Sequence, residues 1–237
     1  NINLDILENL GYLYSENTDK WTIKDLAVDY IHVGDNEVDF HLPNQLGIIC
    51  DYSKWRNLKN TDSIFPELSV DEYMNSDING LKFIYLADSK EFDSEFIDLL
   101  KKDNSAVLLF DTWNKHGMSE QRNLFFHLIN SKIKTPVIIG RFYDHLSLEN
   151  LQIDSSIDIG GLFVDGLGDG VFISHKNCAP IEAVNKLSFQ ILQSTRTRIT
   201  KTDYISCPSC GRTQFNLMET TARVREKTSH LKGLKIA

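Results

Sequence analysis

Two cysteines near the C-terminal end of the chain, Cys207 and Cys210, form a C-x-x-C motif. The motif follows a predicted strand and lies on a turn, where two thiolates can converge on one metal centre. Thiolates are soft ligands, so they favour zinc or an iron–sulfur cluster. The chain has four cysteines, and in a reducing compartment a close pair indicates metal binding or redox chemistry rather than a disulfide framework. The spacing alone leaves a cluster, zinc and thiol redox chemistry open.

A zinc site could be completed from residues about thirty positions upstream, where His175 and Cys178 form an H-x-x-C pair. The predicted helix between the two pairs has about 14 residues and would span ~20 Å. Only a folded-back linker could then join them, so His175 and Cys178 are better interpreted as loop and rim residues. Thiol oxidoreductase chemistry is disfavoured, since the motif does not open a helix in a thioredoxin-like βαβ unit.

Two other features could bind an anion. The glycine-rich run at 160–170 lacks the lysine of a P-loop, and its order of helix, turn and strand is wrong for a dinucleotide site. We interpret it as a tight turn with Gly166 as the helix stop. Arg196 and Arg198 are the candidates for contacts with an anionic substrate, although a solvated linker face is the favoured interpretation.

The composition excludes several classes of protein. The net charge of −8 argues against a nucleic-acid partner, since phosphate binding normally needs a basic face. No apolar run approaches the ~20 residues of a membrane helix, and residues 1–20 lack the basic start of a signal peptide. We therefore expect a cytoplasmic protein with no membrane partner. Its 237 residues are enough for one large core, or for a domain plus part of another.

From residue 81 onward, apolar strand patterns alternate with amphipathic helix patterns. Such alternation predicts βαβ units and a parallel sheet. A unit spacing of ~25–35 residues suits a (β/α)-barrel or part of one, with an open doubly wound sheet as the alternative. The predicted strands are 81–86, 106–110, 136–140 and 171–174, and the predicted helices are 92–102, 119–130 with Ser119 as N-cap, 156–164 and 181–194.

The first 75 residues are harder to interpret. Residues 46–50 form a short apolar run typical of a buried strand, and Cys50 at its end reads as a small core residue. Val38, Phe40 and Leu42 alternate with polar residues, which indicates a further strand.

A second unit is predicted after residue 198. Residues 195–202 are polar and basic, as in a linker. A strand at 204–206, the cysteine turn, a helix at 217–230 and the start of a strand at 234–237 follow. We expect an α/β, barrel-like domain at 1–198 and the truncated beginning of an α+β domain at 199–237.

The segment 204–237, YISCPSCGRTQFNLMETTARVREKTSHLKGLKIA, closely resembles the start of the iron–sulfur domain of 4-hydroxy-3-methylbut-2-enyl-diphosphate synthases. Residues 160–198 also resemble this family, in the long form of plants and Bacteroidetes that carries an inserted domain before the cluster domain. Residues 116–139 are similar to that inserted domain. The resemblance is strong over 116–237 and weaker before it.

The resemblance implies a specific activity for the whole protein. Members of this family reductively convert 2-C-methyl-D-erythritol 2,4-cyclodiphosphate to 4-hydroxy-3-methylbut-2-enyl diphosphate in isoprenoid biosynthesis. They receive electrons from ferredoxin or flavodoxin, and the full enzyme is expected as a homodimer. The inserted domain is expected to act as a scaffold.

The resemblance also implies a ligand set. A [4Fe-4S] cluster is held by three cysteines and a glutamate, and Cys207 and Cys210 match the first two ligands. The third cysteine, the glutamate and the diphosphate-binding barrel would lie outside this chain. We therefore expect metal ligands but no catalytic residues here, and no cluster or turnover from this chain alone.

Overall fold

A short antiparallel hairpin precedes a sheet of seven parallel strands. The computed structural model describes residues 4–38, 41–59, 61–144, 147–176, 178–205 and 210–236. The hairpin strands are β1 (Tyr12–Ser15) and β2 (Lys20–Ile23). The parallel strands are β3 (Tyr30–Gly34), β4 (Gly47–Asp51), β5 (Ile64–Ser69), β6 (Lys82–Leu86), β7 (Ala106–Thr112), β8 (Val137–Tyr143) and β9 (Gly170–His175).

Helices connect the parallel strands, and a small second sheet ends the chain. The helices are α1 (Leu4–Asn9), α2 (Tyr52–Trp55), α3 (Val70–Met74), α4 (Ser94–Leu100), α5 (Gly117–Asn130), α6 (Leu148–Val164), α7 (Ile181–Ser194) and α8 (Leu217–Thr228). The second sheet pairs β10 (Asp203–Tyr204) with β11 (Lys235–Ile236) in parallel. Among the described residues, no helix is both long and apolar enough to cross a membrane.

The seven-stranded sheet curls into a half-barrel. Its strands follow one another in chain order from β3 to β9. The ring centroids of His32 and Phe172, which lie on the two edge strands, are only 5.9 Å apart. An open doubly wound sheet would show a reversal of strand order, and none occurs here within the described sheet. The predicted barrel-like α/β architecture is therefore confirmed.

The main core lies between the outer face of the sheet and helices α4 to α7. Strands β6, β7 and β8 are buried almost throughout, as expected for parallel strands covered on both faces. The helices contribute fully buried side chains such as Phe96 of α4, Leu124 of α5 and Leu162 of α6. Their apolar periodicity in the sequence is what made these helices predictable.

Several predicted details are wrong. Helix α5 begins at Gly117 with His116 as N-cap residue, so Ser119 lies in the first turn and does not cap it. Helix α6 starts eight residues before the predicted position, at Leu148. Val38 and Leu42 lie outside any strand, and Phe40 is outside the described residues. The first two turns of α6 contain many polar residues and were not predicted from the sequence. Helix propensity is a weak signal, and tertiary packing can override it.

Helix α7 covers the gap between the two edge strands. Its Asn185 donates a hydrogen bond from Nδ2 to the carbonyl of Leu26, just before β3, at 2.9 Å. A cavity of about 610 Å³ lies beneath it, with walls from β3, β9 and α7. Val171 and Phe189 contribute to the apolar lining of this cavity. The helix therefore substitutes for strand pairing at the open side of the half-barrel.

The predicted linker after α7 is held in place by one buried side chain. Gln193 Oε1 accepts a hydrogen bond from the Thr200 amide at 2.8 Å. Gln193 Nε2 donates to Asp203 Oδ1 at 2.8 Å. Because both ends of the amide are used, the chain from 200 to 203 is tied to the end of α7 rather than free in solvent. The segment is polar and basic, as predicted, yet its path is determined by Gln193.

The unit formed by β10, α8 and β11 has little core of its own. None of the residues described in α8 is buried. Met218 is 84% exposed, and Phe215 is 60% exposed. Contacts such as the Tyr204 hydroxyl with Thr228 Oγ1, at 2.9 Å, hold the helix against the two short strands. A unit with this little buried apolar surface opens at small free-energy cost.

We expect limited trypsin digestion to cut the unit at 203–236 first, after Arg212, Arg223 or Arg225, and to leave a fragment ending near Arg198 or Lys201. Mass spectrometry of the fragments checks this. Gln193→Ala should speed cleavage after Lys201, because it releases the chain from 200 to 203. The exposed Gln152→Ala on α6 serves as the control. First cuts inside the segment 81–194 would contradict this division of the chain.

A buried ion pair stabilises the start of β6. Lys82 Nζ lies 2.7 Å from Asp103 Oδ2, and its side chain is only 3% exposed. Burial raises the pKa of the Asp103 carboxyl, but hydrogen bonds from Lys82 and Ser105 outweigh this effect and lower the pKa to about 2. Since the folded pKa lies below the usual value of 3.8, the pair stabilises the fold above that value. This stability is lost as the pH falls towards about 2.

We expect Asp103→Asn to lower the free energy of unfolding at pH 7 by about 3 kcal/mol, because it leaves the Lys82 ammonium buried and uncompensated. The variant should also show a weaker loss of stability between pH 4 and pH 2, measured by urea unfolding at each pH. Asp98→Asn removes a comparable carboxylate from the exposed pair with Lys101. We expect it to change the free energy of unfolding by less than about 0.5 kcal/mol. Equal effects of the two substitutions would contradict this role for Lys82.

Candidate cysteine metal site

The cysteine motif lies on the connection between β10 and α8. Cys207 is outside the described residues. Cys210 is described and is an exposed, free thiol. Its carbonyl accepts a hydrogen bond from the Thr213 amide at 3.0 Å, which closes a turn immediately after the motif. The turn holds the Cys210 sulfur at the surface, where a metal centre could reach it.

The turn also favours the thiolate form of Cys210. The backbone N–H of Arg212 and then the hydroxyl of Thr213 lower the pKa of the Cys210 thiol. Thr213 Oγ1 lies 3.9 Å from the sulfur. Metals bind the thiolate rather than the thiol, and hydrogen bonds to sulfur are among the factors that tune iron–sulfur clusters. The described half of the motif therefore fits a cluster ligand, and Thr213 is a supporting residue that the spacing of the cysteines did not reveal.

Helix α8 begins seven residues after Cys210 and fixes the far end of this turn. Asn216 is the N-cap, and its side-chain oxygen accepts a hydrogen bond from the Glu219 amide at 3.1 Å. At the other end of the helix, the Arg225 guanidinium lies over the Tyr204 ring at 5.2 Å. The motif thus lies between a strand and a capped helix, as the sequence predicted.

The residues of the alternative zinc site are not brought together. His175 ends β9, and its Nδ1 accepts a hydrogen bond from the Cys178 amide at 3.2 Å. In the described part of the chain, these two residues and Cys210 do not form a group with convergent ligand atoms. Helix α7 separates the pairs, as expected from its length. His175 and Cys178 therefore shape the turn after β9.

The two arginine candidates lie in different environments, and Arg198 is among the residues that line the cavity beneath α7. Arg198 forms an ion pair with Asp29, and its guanidinium lies 5.1 Å from the centroid of the Phe189 ring. Arg196 is exposed and has a positive φ of 63°, because it ends the turn that follows α7. The structure therefore gives Arg198 a role in joining α7 to the strand edge at β3.

The glycine-rich turn before β9 is structural. Gly166 has a φ of +75°, as predicted for the residue that stops α6. Asp169 Oδ2 accepts a hydrogen bond from the Val137 amide at 2.9 Å, so its carboxylate caps the start of β8. A Cβ on Gly168 would lie 2.4 Å from the Ile139 side chain. The turn packs against β8 and offers no phosphate cradle.

A second group of polar residues lies at the carboxyl ends of the parallel strands. One ligand atom each of His32, Asp51 and Glu67 lies within 4.8 Å of the others. Asp111 lies nearby at the end of β7, and burial raises the pKa of its carboxyl. The sequence did not reveal this group, although one signal was present. Each residue ends or nearly ends its strand, at the edge where (β/α)-barrels carry their functional side chains.

No family model matches the chain, but curated proteins do. The chain is 38% identical over 208 residues to 4-hydroxy-3-methylbut-2-en-1-yl diphosphate synthase (flavodoxin) of Parabacteroides distasonis, a match covering 88% of this chain and 33% of that protein. The enzyme of the same name from Bacteroides thetaiotaomicron is 35% identical over 212 residues, covering 88% of this chain and 33% of that protein. The 4-hydroxy-3-methylbut-2-en-1-yl diphosphate synthase (ferredoxin), chloroplastic, of Oryza sativa is 41% identical over 149 residues, covering 60% of this chain and 20% of that protein. The chain thus spans about a third of the length of the first two relatives.

We expect Cys210 to react with iodoacetamide faster than Cys178, and Cys50 to react slowest. Cys210 is exposed, Cys178 is half-buried and Cys50 is buried, and access limits thiol reactivity. Site-resolved mass spectrometry of a Cys207→Ser variant checks the order. If each cysteine reacted at the same rate in the native and in the urea-unfolded chain, burial would not control the rates and the prediction would be wrong.

Proposed function

Because this chain is homologous to a segment of the 4-hydroxy-3-methylbut-2-en-1-yl diphosphate synthases, we propose that it is part of such an enzyme. The whole protein would reductively convert 2-C-methyl-D-erythritol 2,4-cyclodiphosphate to 4-hydroxy-3-methylbut-2-enyl diphosphate. Flavodoxin or ferredoxin, the donors in the relatives' names, would supply the electrons. In this proposal Cys207 and Cys210 are two ligands of a [4Fe-4S] cluster.

The observation that carries the proposal is the environment of Cys210. Its thiol is exposed, its pKa is lowered by Arg212 and Thr213, and it follows a parallel strand in a βαβ unit. A bound cluster would supply low-potential electrons and a Lewis-acidic iron, which amino acids do not provide. The contribution of this chain would be to present thiolates on a short, hydrogen-bonded turn.

The proposal assigns different roles to the two parts of the chain. Residues 1–198 would be the inserted domain of the long enzyme form, acting as a scaffold through the half-barrel. Residues 199–237 would be the beginning of the cluster domain. Apolar side chains of this second unit, including Phe215 and Met218, are exposed. Their exposure supports the proposal, because further residues of the cluster domain would cover this surface. Gln193 would then set the position of the cluster domain relative to α7.

The test is a metal analysis of the full-length protein purified without oxygen. We expect about four irons and four sulfides per protein, as in a [4Fe-4S] cluster, together with visible absorbance from the cluster. Cys207→Ser and Cys210→Ser should each abolish the absorbance and the conversion of the cyclodiphosphate. Cys178→Ser, a matched thiol on the other side of α7, should leave both unchanged. Stoichiometric zinc with neither iron nor sulfide would overturn the proposal.

The 237-residue chain alone should neither hold the cluster nor convert the cyclodiphosphate. Two thiolates are too few for a cluster that normally needs four protein ligands. Anaerobic reconstitution with iron and sulfide, followed by desalting and product analysis, checks this. Turnover by this chain alone would show that the ligand set is complete without further residues.

A further inference from the structure

Three side chains that can bind metals converge at the carboxyl ends of neighbouring strands. His32 is on β3, Asp51 ends β4, and Glu67 is on β5. Asp51 of β4 pairs with Glu67 of β5. His32 of β3 pairs with Ile49, which lies two residues before Asp51 on β4. Because the curl of the sheet brings these positions towards one point, their ligand atoms lie within 4.8 Å of one another.

A fourth polar side chain points into the same space from β7. Asp111 is only 6% exposed, and its Oδ1 atom is buried without a hydrogen-bond partner in the described structure. It lies on the inner face of the sheet, since Val107 and Leu109, at alternate positions, line the inner cavity. Gly140 makes room for it, because a Cβ there would lie 2.8 Å from the Asp111 Cβ.

His32 is the partner of the Glu67 carboxylate in this group. Glu67 Oε2 is buried, and no other described residue donates a hydrogen bond to it. It lies 3.1 Å from His32 Nε2, which can donate only when that nitrogen carries a proton. A buried carboxylate oxygen without a donor is costly. A cation coordinated by both side chains would satisfy the carboxylate and use the lone pair of the imidazole.

The charge balance here differs from that of other buried carboxylates in the fold. Asp103 is paired with Lys82, and Asp158 is paired with Arg141. Arg141 lies on the other face of the sheet and directs its guanidinium to Asp158 and to the carbonyl groups of Thr112 and Asn114. The group at the strand ends therefore has three carboxylates and one histidine, and Arg141 acts on Asp111 only from the other face of the sheet.

We propose that the exposed His32 and the partly buried Asp51 and Glu67 bind one divalent transition-metal ion at the carboxyl end of the half-barrel, with Asp111 facing the ion as a further oxygen donor. An imidazole with carboxylates is a donor set suited to Mn²⁺, Fe²⁺ or Zn²⁺, whereas Mg²⁺ and Ca²⁺ prefer oxygen ligands alone. Three protein ligands leave coordination positions for water or a small anion. The site is separate from the cysteine motif and does not depend on the function proposed above.

Electron paramagnetic resonance of Mn²⁺ tests the proposal on the 237-residue chain. Cys207→Ser and Cys210→Ser are introduced first, so that their thiolates do not compete for the ion. Titration should remove the six-line signal of free Mn²⁺ at one ion per chain, and millimolar Mg²⁺ should not restore it. The electron spin echo of the bound ion should show modulation from an imidazole nitrogen. Circular dichroism shows whether this double serine variant is folded. No binding by the folded protein, or bound Mn²⁺ without nitrogen modulation, would overturn the proposal.

Substitutions then identify the ligands. His32→Gln should abolish the nitrogen modulation, and it should weaken binding by about tenfold or more, as should Asp51→Asn and Glu67→Gln. Exposed residues His127→Gln and Asp98→Asn are matched controls and should leave both readouts unchanged. Circular dichroism of the metal-free variants separates loss of a ligand from loss of the fold. Unchanged binding in all three folded variants, or equal weakening in the controls, would assign the ion to another place and overturn the site.

Discussion

The structure depends on a sheet that curls without closing. Seven parallel strands bring β3 and β9 near each other, as the contact between His32 and Phe172 shows, yet no strand joins these edges in the described chain. The unpaired edges and the apolar cavity between them must be covered, since exposed parallel edges invite pairing with other chains. Helix α7 provides this cover, and the ion pair of Arg198 with Asp29 fastens its end to the region before β3.

The position of α7 determines where the unit formed by β10, α8 and β11 begins. Gln193, in its last turn, uses both atoms of its amide to hold the chain from 200 to 203. The strand β10 therefore starts at a defined point beside the half-barrel, although its own sheet has only two residues in each strand. A small βαβ unit with few buried contacts gains its orientation from the larger domain.

The fold presents two groups of proposed metal ligands in two different environments. Cys210 lies on an exposed turn, where local hydrogen bonds favour the thiolate. His32, Asp51 and Glu67 lie towards the carboxyl end of the half-barrel, where His32 is exposed and the two carboxylates are partly buried. Partly buried carboxylates without a balancing charge are unfavourable. Soft sulfur ligands suit an iron–sulfur cluster, and the nitrogen and oxygen ligands suit a borderline divalent ion. Cys210 is not part of the group formed by His32, Asp51 and Glu67.

The sequence by itself determined the features that depend on neighbouring residues. Most of the strands and helices from 81 to 194, the stop at Gly166 and the turn at Cys210 follow from periodicity, glycine and motif spacing. The start of α6 and the N-cap of α5 do not. The first 75 residues were largely missed, because short strands and helices there are stabilised by distant contacts such as that of Tyr12 with the Val28 carbonyl. Only the tertiary structure showed that Gln193 of α7 hydrogen-bonds to the linker. It alone also showed that the carboxylates of Asp51 and Glu67 lie together. The group at the strand ends depends on the curl of the sheet, a property of many pairings at once that no local pattern encodes.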